Sequence, residues 1–347
     1  MVINYYRQNA NKRFLKIVAA VSALAILLGG CGKGDNISDN ISDISDSSYD
    51  DTSENESIID NSEGDLIDMN GYKYVWGDEF DGNRLDPSKW TLRADMSGQS
   101  DLALCGEENP EVMRVEDGNL KLCVTKNAGD GDEKQYSTCY SVTTYNKMRF
   151  RYGYLEISAR VPYMQGAWPS FWLKSLKDDI CPPPKADYMA EIDVFEVFSN
   201  LSTAVPNLHK WYPYNVTLES GYETSHTQGG DLIDKSQKKP YVFSDITNLN
   251  NEYHTYGFEW TPEYMAMSVD GKVYCKYDIN SNFDGCSDMS GFHDALYVLF
   301  NNHIFTENSS WLPEGKAVDE RTAFPINYWI DYIRLYQKDE YGDLYLA

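Results

Sequence analysis

The chain has 347 residues, with 54 Asp+Glu against 30 Lys+Arg and a formal net charge of −24. Phosphate binding needs a basic face, so this balance argues against a nucleic-acid partner. Aromatic residues make up 14% of the chain, including 27 Tyr and 8 Trp, which excludes disorder throughout and leaves ample apolar area for a core.

The charge is unevenly placed. Residues 1–30 carry four positives (Arg7, Lys12, Arg13, Lys16) and no acid. An apolar stretch from Ile17 to Leu28 follows, and at about a dozen residues it is too short to span a bilayer as a helix. The order of these segments predicts an export signal over 1–30. The stretch ends in Leu28-Gly29-Gly30-Cys31, and small residues before a Cys resemble the lipobox of bacterial lipoproteins. That resemblance implies cleavage before Cys31, lipidation of Cys31, and a membrane-anchored protein at the bacterial cell surface. A plain secretory signal with an incidental Cys is the alternative.

Residues 31–70 then read as the lipidated Cys and a disordered acidic linker. Twelve acids and one lysine lie in 32–70, and Asn-Ile-Ser-Asp occurs twice, at 36–39 and 40–43. Like charges repel there, and too little apolar surface exists to fold. A flexible spacer holding the following domain off the membrane is the expected role. The remaining residues, 71–347, carry −17 and form one domain. Six cysteines lie within it (Cys105, Cys123, Cys139, Cys181, Cys275, Cys286), an even count that permits disulfides outside the cytosol. Cys275 and Cys286 would close a short loop, and buried thiols are the alternative.

From Gly71 onward the pattern is that of short strands. Period-two alternation runs through Asn119–Thr125 and Tyr154–Val161. Met265–Val269 and Lys272–Tyr277 flank Asp270-Gly271, the turn that right-handed strand twist favours in a hairpin. Leu296–Phe300 is a continuous apolar run, and Trp329–Tyr336 is a late strand rich in aromatic and β-branched residues. No long segment has the 3.6-residue period of an amphipathic helix. Many short strands without helices predict an all-β sandwich or barrel over about Lys73 to Lys338.

The segment from Tyr188 to Phe198 is the most informative. Its apolar residues are β-branched or aromatic, so it should be a strand. Glu191 and Asp193 then share one face, with Ile192 and Val194 on the other. Strict alternation would drive Glu196 into the core, where an unpaired carboxylate is costly. A single-residue β-bulge between Asp193 and Glu196 returns Glu196 to the polar face, and bulges are frequent beside active sites. Three carboxylates so close should raise at least one pKa and keep one proton among them. That suits a glycosidase, which needs one carboxylate as nucleophile and one carboxylic acid to protonate the leaving oxygen. A solvated acidic face, a cation site or a set of salt bridges would give the same spacing.

Glu191-Ile-Asp193-Val-Phe-Glu196 resembles the signature of glycoside hydrolase family 16 in its bulged E-x-D-x-x-E form. The likeness extends to Trp76–Gly82, to Phe150–Glu156 with Gly166–Leu173, to His254–Trp260 with Asp270-Gly271, and to Ile330–Tyr336, in the family's order. The resemblance implies a jelly-roll β-sandwich of two curved antiparallel sheets with an open concave cleft. It also implies retaining endo-hydrolysis of a β-linked polysaccharide with no cofactor required for the chemistry. Glu191 would be the nucleophile, Glu196 the acid/base and Asp193 the helper. Retention needs the two glutamate carboxyls about 5–5.5 Å apart.

Trp168 and Trp172 share a strand face and read either as a sugar-stacking floor or as core. His209, just after the acidic strand, is a candidate hydrogen-bond partner for substrate or a structural histidine, and Arg151 and Asn302 are further candidates of the same kind. Tyr188 stands where laminarinase-type members tend to have Trp. The resemblance also implies a structural calcium held by the backbone carbonyls of Glu79 and Gly118 and by Asp331, in keeping with the preference of hard cations for oxygen. An acidic domain would weakly repel sulfated galactans, which favours a neutral β-1,3- or β-1,3(1,4)-glucan as substrate. The alternatives are a galactan of the agar or carrageenan type, or a non-catalytic carbohydrate-binding lipoprotein. The five His show no H-E-x-x-H, against a metallohydrolase. The protein is expected to act as a monomer.

Overall fold

The computed structural model describes residues 65–93, 102–105, 109–127, 135–139, 141–175, 188–200, 203–211, 216–217, 223–224, 241–242, 251–280, 289–307 and 315–347. The signal, Cys31, the linker up to Gly64, Cys181 and Cys286 lie outside the described residues.

The strands in chain order are β1 (Lys73–Asp78), β2 (Thr91–Arg93), β3 (Leu102–Cys105), β4 (Met113–Glu116), β5 (Asn119–Lys126), β6 (Tyr136–Cys139) and β7 (Ser141–Thr143). Next come β8 (Met148–Arg151), β9 (Gly153–Arg160), β10 (Ala167–Ser175), β11 (Met189–Glu196), β12 (Thr203–Trp211), β13 (Val216–Thr217) and β14 (Glu223–Thr224). The last are β15 (Tyr241–Val242), β16 (His254–Trp260), β17 (Tyr264–Val269), β18 (Lys272–Asp278), β19 (Leu296–Ile304), β20 (Ile326–Gln337) and β21 (Asp343–Leu346). One short 3₁₀ turn, Ser290–His293, precedes β19.

Two sheets result. The outer sheet runs β18-β17-β16-β9-β20-β5-β6-β3, with β1 on β20 and β4 on β5. The second, here the site sheet, runs β15-β12-β11-β10-β19-β7-β2, with β8 beside β19 and β21 beside β8. Pairing is antiparallel except for β3 with β6, which is parallel. The fold is the all-β sandwich expected from the sequence.

Alternation decides which residues fill the space between the sheets. On β9, Leu155, Ile157 and Ala159 are fully buried in the core, and on β20 so are Ile326, Tyr328 and Ile330. A register shift between Ile330 and Tyr332 then resets the parity of β20, so that Ile333 and Leu335 also face inward. From the site sheet, Phe171, Ile192, Phe195, Leu208 and Val298 complete the core.

The predicted hairpin is β17–β18. Both turn residues have positive φ, 50° at Asp270 and 77° at Gly271, as a mirror-image two-residue turn requires. The ordered chain reaches back before Gly71. Val273 N–H donates to the Asp65 carbonyl (2.9 Å), Ile67 N–H donates to the Gly271 carbonyl (2.9 Å), and Leu66 bridges to Lys272. Residues 65–70, read from sequence as linker, therefore cap the hairpin. The backbone makes this contact, and polar composition alone does not reveal it. Cys123 is a buried free thiol, and Cys139 and Cys275 are also buried.

Candidate active site

The acidic strand β11 lies between β10 and β12. Its ladder with β12 shifts register between Asp193 and Glu196, and its ladder with β10 shifts between Phe171 and Trp172. This is the bulge that the parity of Glu196 predicts. Ile192, Val194, Phe195 and Val197 all go into the core, while Glu191, Asp193 and Glu196 share the open face.

Register then assembles the face in rows. Lys174 is opposite Glu191, Trp172 opposite Asp193, and Ser170 opposite Glu196. On the other side His209 is opposite Glu191 and Asn207 opposite Asp193. Across β10, β19 places His303 beside Trp168, Asn301 beside Ser170 and Tyr297 beside Lys174.

Each carboxylate has a different partner. Lys174 Nζ lies 3.0 Å from Glu191 Oε2. His209 Nε2 donates to Asp193 Oδ2 at 3.0 Å. Trp168 Nε1 donates to Glu196 Oε1 at 2.8 Å. One oxygen each of Glu191 and Asp193 and a ring nitrogen of His209 lie within 4.8 Å of one another. Lys174 and His209 are the cationic side chains set against that cluster among the described residues.

These surroundings set the proton affinities. Burial, with the Asp193 carboxylate next in importance, pushes Glu196 up to about 8, and the Trp168 N–H offsets only part of this. Burial also raises Glu191, with Lys174 opposing and Asp193 reinforcing the rise. Burial pulls His209 down, but its bond to Asp193 and the three nearby carboxylates outweigh that and raise it to about 9. At neutral pH the arrangement therefore holds a proton on Glu196, a cation on His209 and an ammonium against Glu191. A protonated carboxyl and a cation-paired carboxylate on one strand face are the pair that acid-assisted glycosyl transfer uses.

Trp168 stacks on Phe305, with centroids 4.7 Å apart and planes at 11°, and its edge meets His303 at 5.8 Å. It forms a half-buried aromatic platform beside Glu196. Trp172 is on the same face but almost covered, packed with Tyr297, Leu299 and Tyr145, and its Nε1 donates to Asn301 Oδ1 at 2.6 Å. Trp172 thus packs and donates at once.

Two sequence candidates lie elsewhere. The Arg151 guanidinium pairs with Asp343 of β21, not with any of the three carboxylates. Asn302 points between the sheets, and its Nδ2 donates to the carbonyls of Leu122 and Ile326 at 3.0 Å each. Alternation puts Tyr297, Leu299, Asn301 and His303 of β19, and not Asn302, on the face of the site. Sequence reading missed Asn301, Lys174, Tyr297 and Phe305. For Lys174 the signal was present, since it continues the parity of 168, 170 and 172. Tyr188 is buried against Phe292, and its hydroxyl accepts from Gly291 N–H at 3.0 Å.

The calcium candidates lie along β20. Ile333 pairs with Asp78 of β1, and Ile330 pairs with Leu120 of β5, so Asp331 falls between the ends of both neighbours. Glu79 directly follows β1, and Gly118 lies in the β4–β5 turn at φ 71°. Arg334 binds both Glu79 carboxylate oxygens, at 2.8 and 2.7 Å, which leaves the Glu79 backbone carbonyl as its cation donor. The set of one carboxylate and two carbonyls is compatible with a hard cation.

The sequence over residues 75–338 matches the family profile described as Beta-porphyranase A-D, GH16 domain. The chain belongs to glycoside hydrolase family 16. Its sequence is 25% identical over 284 residues to glucan endo-1,3-beta-glucosidase A1 of Niallia circulans, covering 77% of this chain and 38% of that protein. It is 24% identical over 269 residues to a beta-glucanase of Rhodothermus marinus, covering 77% of this chain and 85% of that protein. The chain thus spans well under half of the first relative and most of the second. Among solved structures, one described with endo-acting O-glycanases by which prominent human gut microbes initiate mucin breakdown superposes with a TM-score of 0.59. The two are 26% identical, over 80% of this chain and 94% of that one.

Proposed function

We propose that this protein is a retaining endo-glycoside hydrolase acting on a β-1,3- or β-1,3(1,4)-glucan. The observation that carries the reading is the unequal pairing of two glutamates on one face of β11: Glu196 meets the Trp168 indole N–H at 2.8 Å, and Glu191 meets Lys174 Nζ at 3.0 Å. Glu191 attacks the anomeric carbon while Glu196 protonates the departing glycosidic oxygen, giving a covalent glycosyl-enzyme. Glu196, now ionised, takes a proton from water, which displaces the sugar from Glu191 with net retention. Asp193, paired with His209, tempers the charge between the two glutamates. Trp168, backed by the buried Phe305 ring, offers a flat apolar face on which a sugar ring can lie.

The glucan choice rests on the two glucanase relatives and on the acidic domain, which disfavours polyanionic chains. One observation favours a second reading, a galactan: the matching family profile is that of β-porphyranases. The Asp331 carboxylate with the Glu79 and Gly118 carbonyls would hold a calcium that braces β1, β5 and β20, with no part in the chemistry. We further propose export and tethering through lipidated Cys31, with the acidic segment after it as spacer. The basic, apolar and Gly-Gly-Cys order of residues 1–31 supports this.

The test is reducing-sugar release from laminarin, lichenan, agarose, porphyran, carrageenan and xyloglucan. Glucan turnover is the expected result. Turnover on a galactan alone would keep the mechanism and replace the substrate. Binding without turnover anywhere would leave a carbohydrate-binding protein.

A further inference from the structure

Strand β10 partners both glutamates of β11, and it does so unequally. Trp168 gives Glu196 a neutral N–H at 2.8 Å, and Lys174, six residues along the same face, gives Glu191 a full positive charge at 3.0 Å. Both members of the ion pair are largely covered, with side-chain exposures of 15% and 12%. A pair so shielded is weakly screened, and breaking it leaves an uncompensated buried charge. The surroundings hold Lys174 in place: it stands opposite Glu191 in the ladder, between Glu191 and Tyr297, with its ammonium 5.8 Å from the Trp172 ring centroid.

We propose that Lys174 is a positioning residue that decides which glutamate keeps the proton. This rests on the glycosidase reading above, which assigns no role to Lys174. Glu191 meets charged or titratable groups on every side: Lys174 from β10, Asp193 and Glu196 from its own strand, His209 from β12, and Tyr297 from β19 with Arg93 3.4 Å behind its hydroxyl. Among the described residues, His209 is bonded to Asp193 and Lys174 contacts Glu191. Lys174 sets its ammonium directly against Glu191, whereas Glu196 receives only the neutral Trp168 N–H. Without the ammonium that asymmetry is lost, and Glu191 and Glu196 compete for the same proton. The fixed cation thus keeps Glu191 ionised for attack and leaves the proton on Glu196. It also stabilises Glu191 as a leaving carboxylate when water resolves the covalent intermediate.

The experiment is infrared difference titration of the full-length protein labelled with ¹³C-carboxyl glutamate, using Glu191→Gln to identify the Glu191 band. The expected result is that Lys174→Met moves the Glu191 midpoint up by about one pH unit or more, and that Lys174→Arg restores it. Lys174→Gln, closer in polarity, gives the same shift if Met perturbs folding, which thermal melts of each variant report. An unmoved midpoint in folded Lys174→Met or Lys174→Gln overturns the proposal. The titration needs no turnover, so a failure of the glycosidase reading is seen separately, as inactivity of the wild type on every polysaccharide. Where the wild type is active, the acidic limb of its kcat/KM profile moves up with the Glu191 midpoint in Lys174→Met and returns in Lys174→Arg.

Discussion

The open face of the site sheet and the open face of the outer sheet use the same residue types to opposite effect. On the outer sheet Glu79 and Glu116 each have cations of their own. Arg334 grips both oxygens of Glu79 and holds its carboxyl below the usual range. Arg114, 2.7 Å away, with Lys121 at 3.5 Å, does the same for Glu116. On the site sheet three carboxylates crowd one buried strand face and share one lysine, one histidine and one indole N–H. There burial and mutual repulsion win, and both glutamates rise. Acid content therefore does not mark a site in this protein. Crowding of carboxylates away from water does.

The sharpest test of that contrast is substitution within the crowded set. Glu191→Gln and Glu196→Gln should each lower kcat on the preferred polysaccharide by about 10³-fold, the scale of losing a nucleophile or a general acid. Reducing-sugar assays on folded variants read this directly. A loss below tenfold in either would remove that residue from the chemistry. Trp168→Phe comes next. It keeps the ring on Phe305 but deletes the donor to Glu196, so kcat should fall about tenfold, the scale of one hydrogen bond to a reacting group. The basic limb of the kcat/KM profile should move up, because that donor lowers the Glu196 pKa.

Stability should carry the same signature. Glu196 rises from 4.5 unfolded to about 8 folded, so its contribution is complete below about 4.5 and is lost as pH climbs through 8. His209 rises from 6.5 to about 9, so its contribution is complete below about 6.5 and is lost through 9. Both therefore make the wild type less stable with rising pH, most steeply between about 6.5 and 8. Thermal melts from pH 5 to 9 should show a falling midpoint, and Glu196→Gln should flatten the part below 8. The smallest effect belongs to the outer sheet. Glu116→Gln should cost less than about 1 kcal/mol, as exposed ion pairs do, and leave turnover unchanged.

Much of this was legible in the sequence, and the reasons differ by residue. The bulge in β11 followed from parity, because a carboxylate at 196 in strict alternation would be buried unpaired. The shared face of Trp168 and Trp172 followed from period two. The hairpin at Asp270-Gly271 followed from turn chemistry. Asn302 misled because Leu296–Phe300 is apolar at every position, so nothing in that run showed which residues of β19 face out. Arg151 was taken from a motif, and its partner Asp343 lies 192 residues away, across a pairing with β21 that no local pattern announces. Lys174 was overlooked because a lysine at a strand end reads as solvated; parity with 168, 170 and 172 puts it on the site face, and the β10–β11 register sets it opposite Glu191.

The central claim is that Glu191 and Glu196 act as nucleophile and acid on a β-glucan. Proton NMR of the first products released from laminarin tests it most directly. The account predicts that the new reducing end appears first as the β-anomer and then mutarotates, and that neither Glu→Gln variant releases product. An α-anomer appearing first, or equal release by Glu191→Gln, would contradict it.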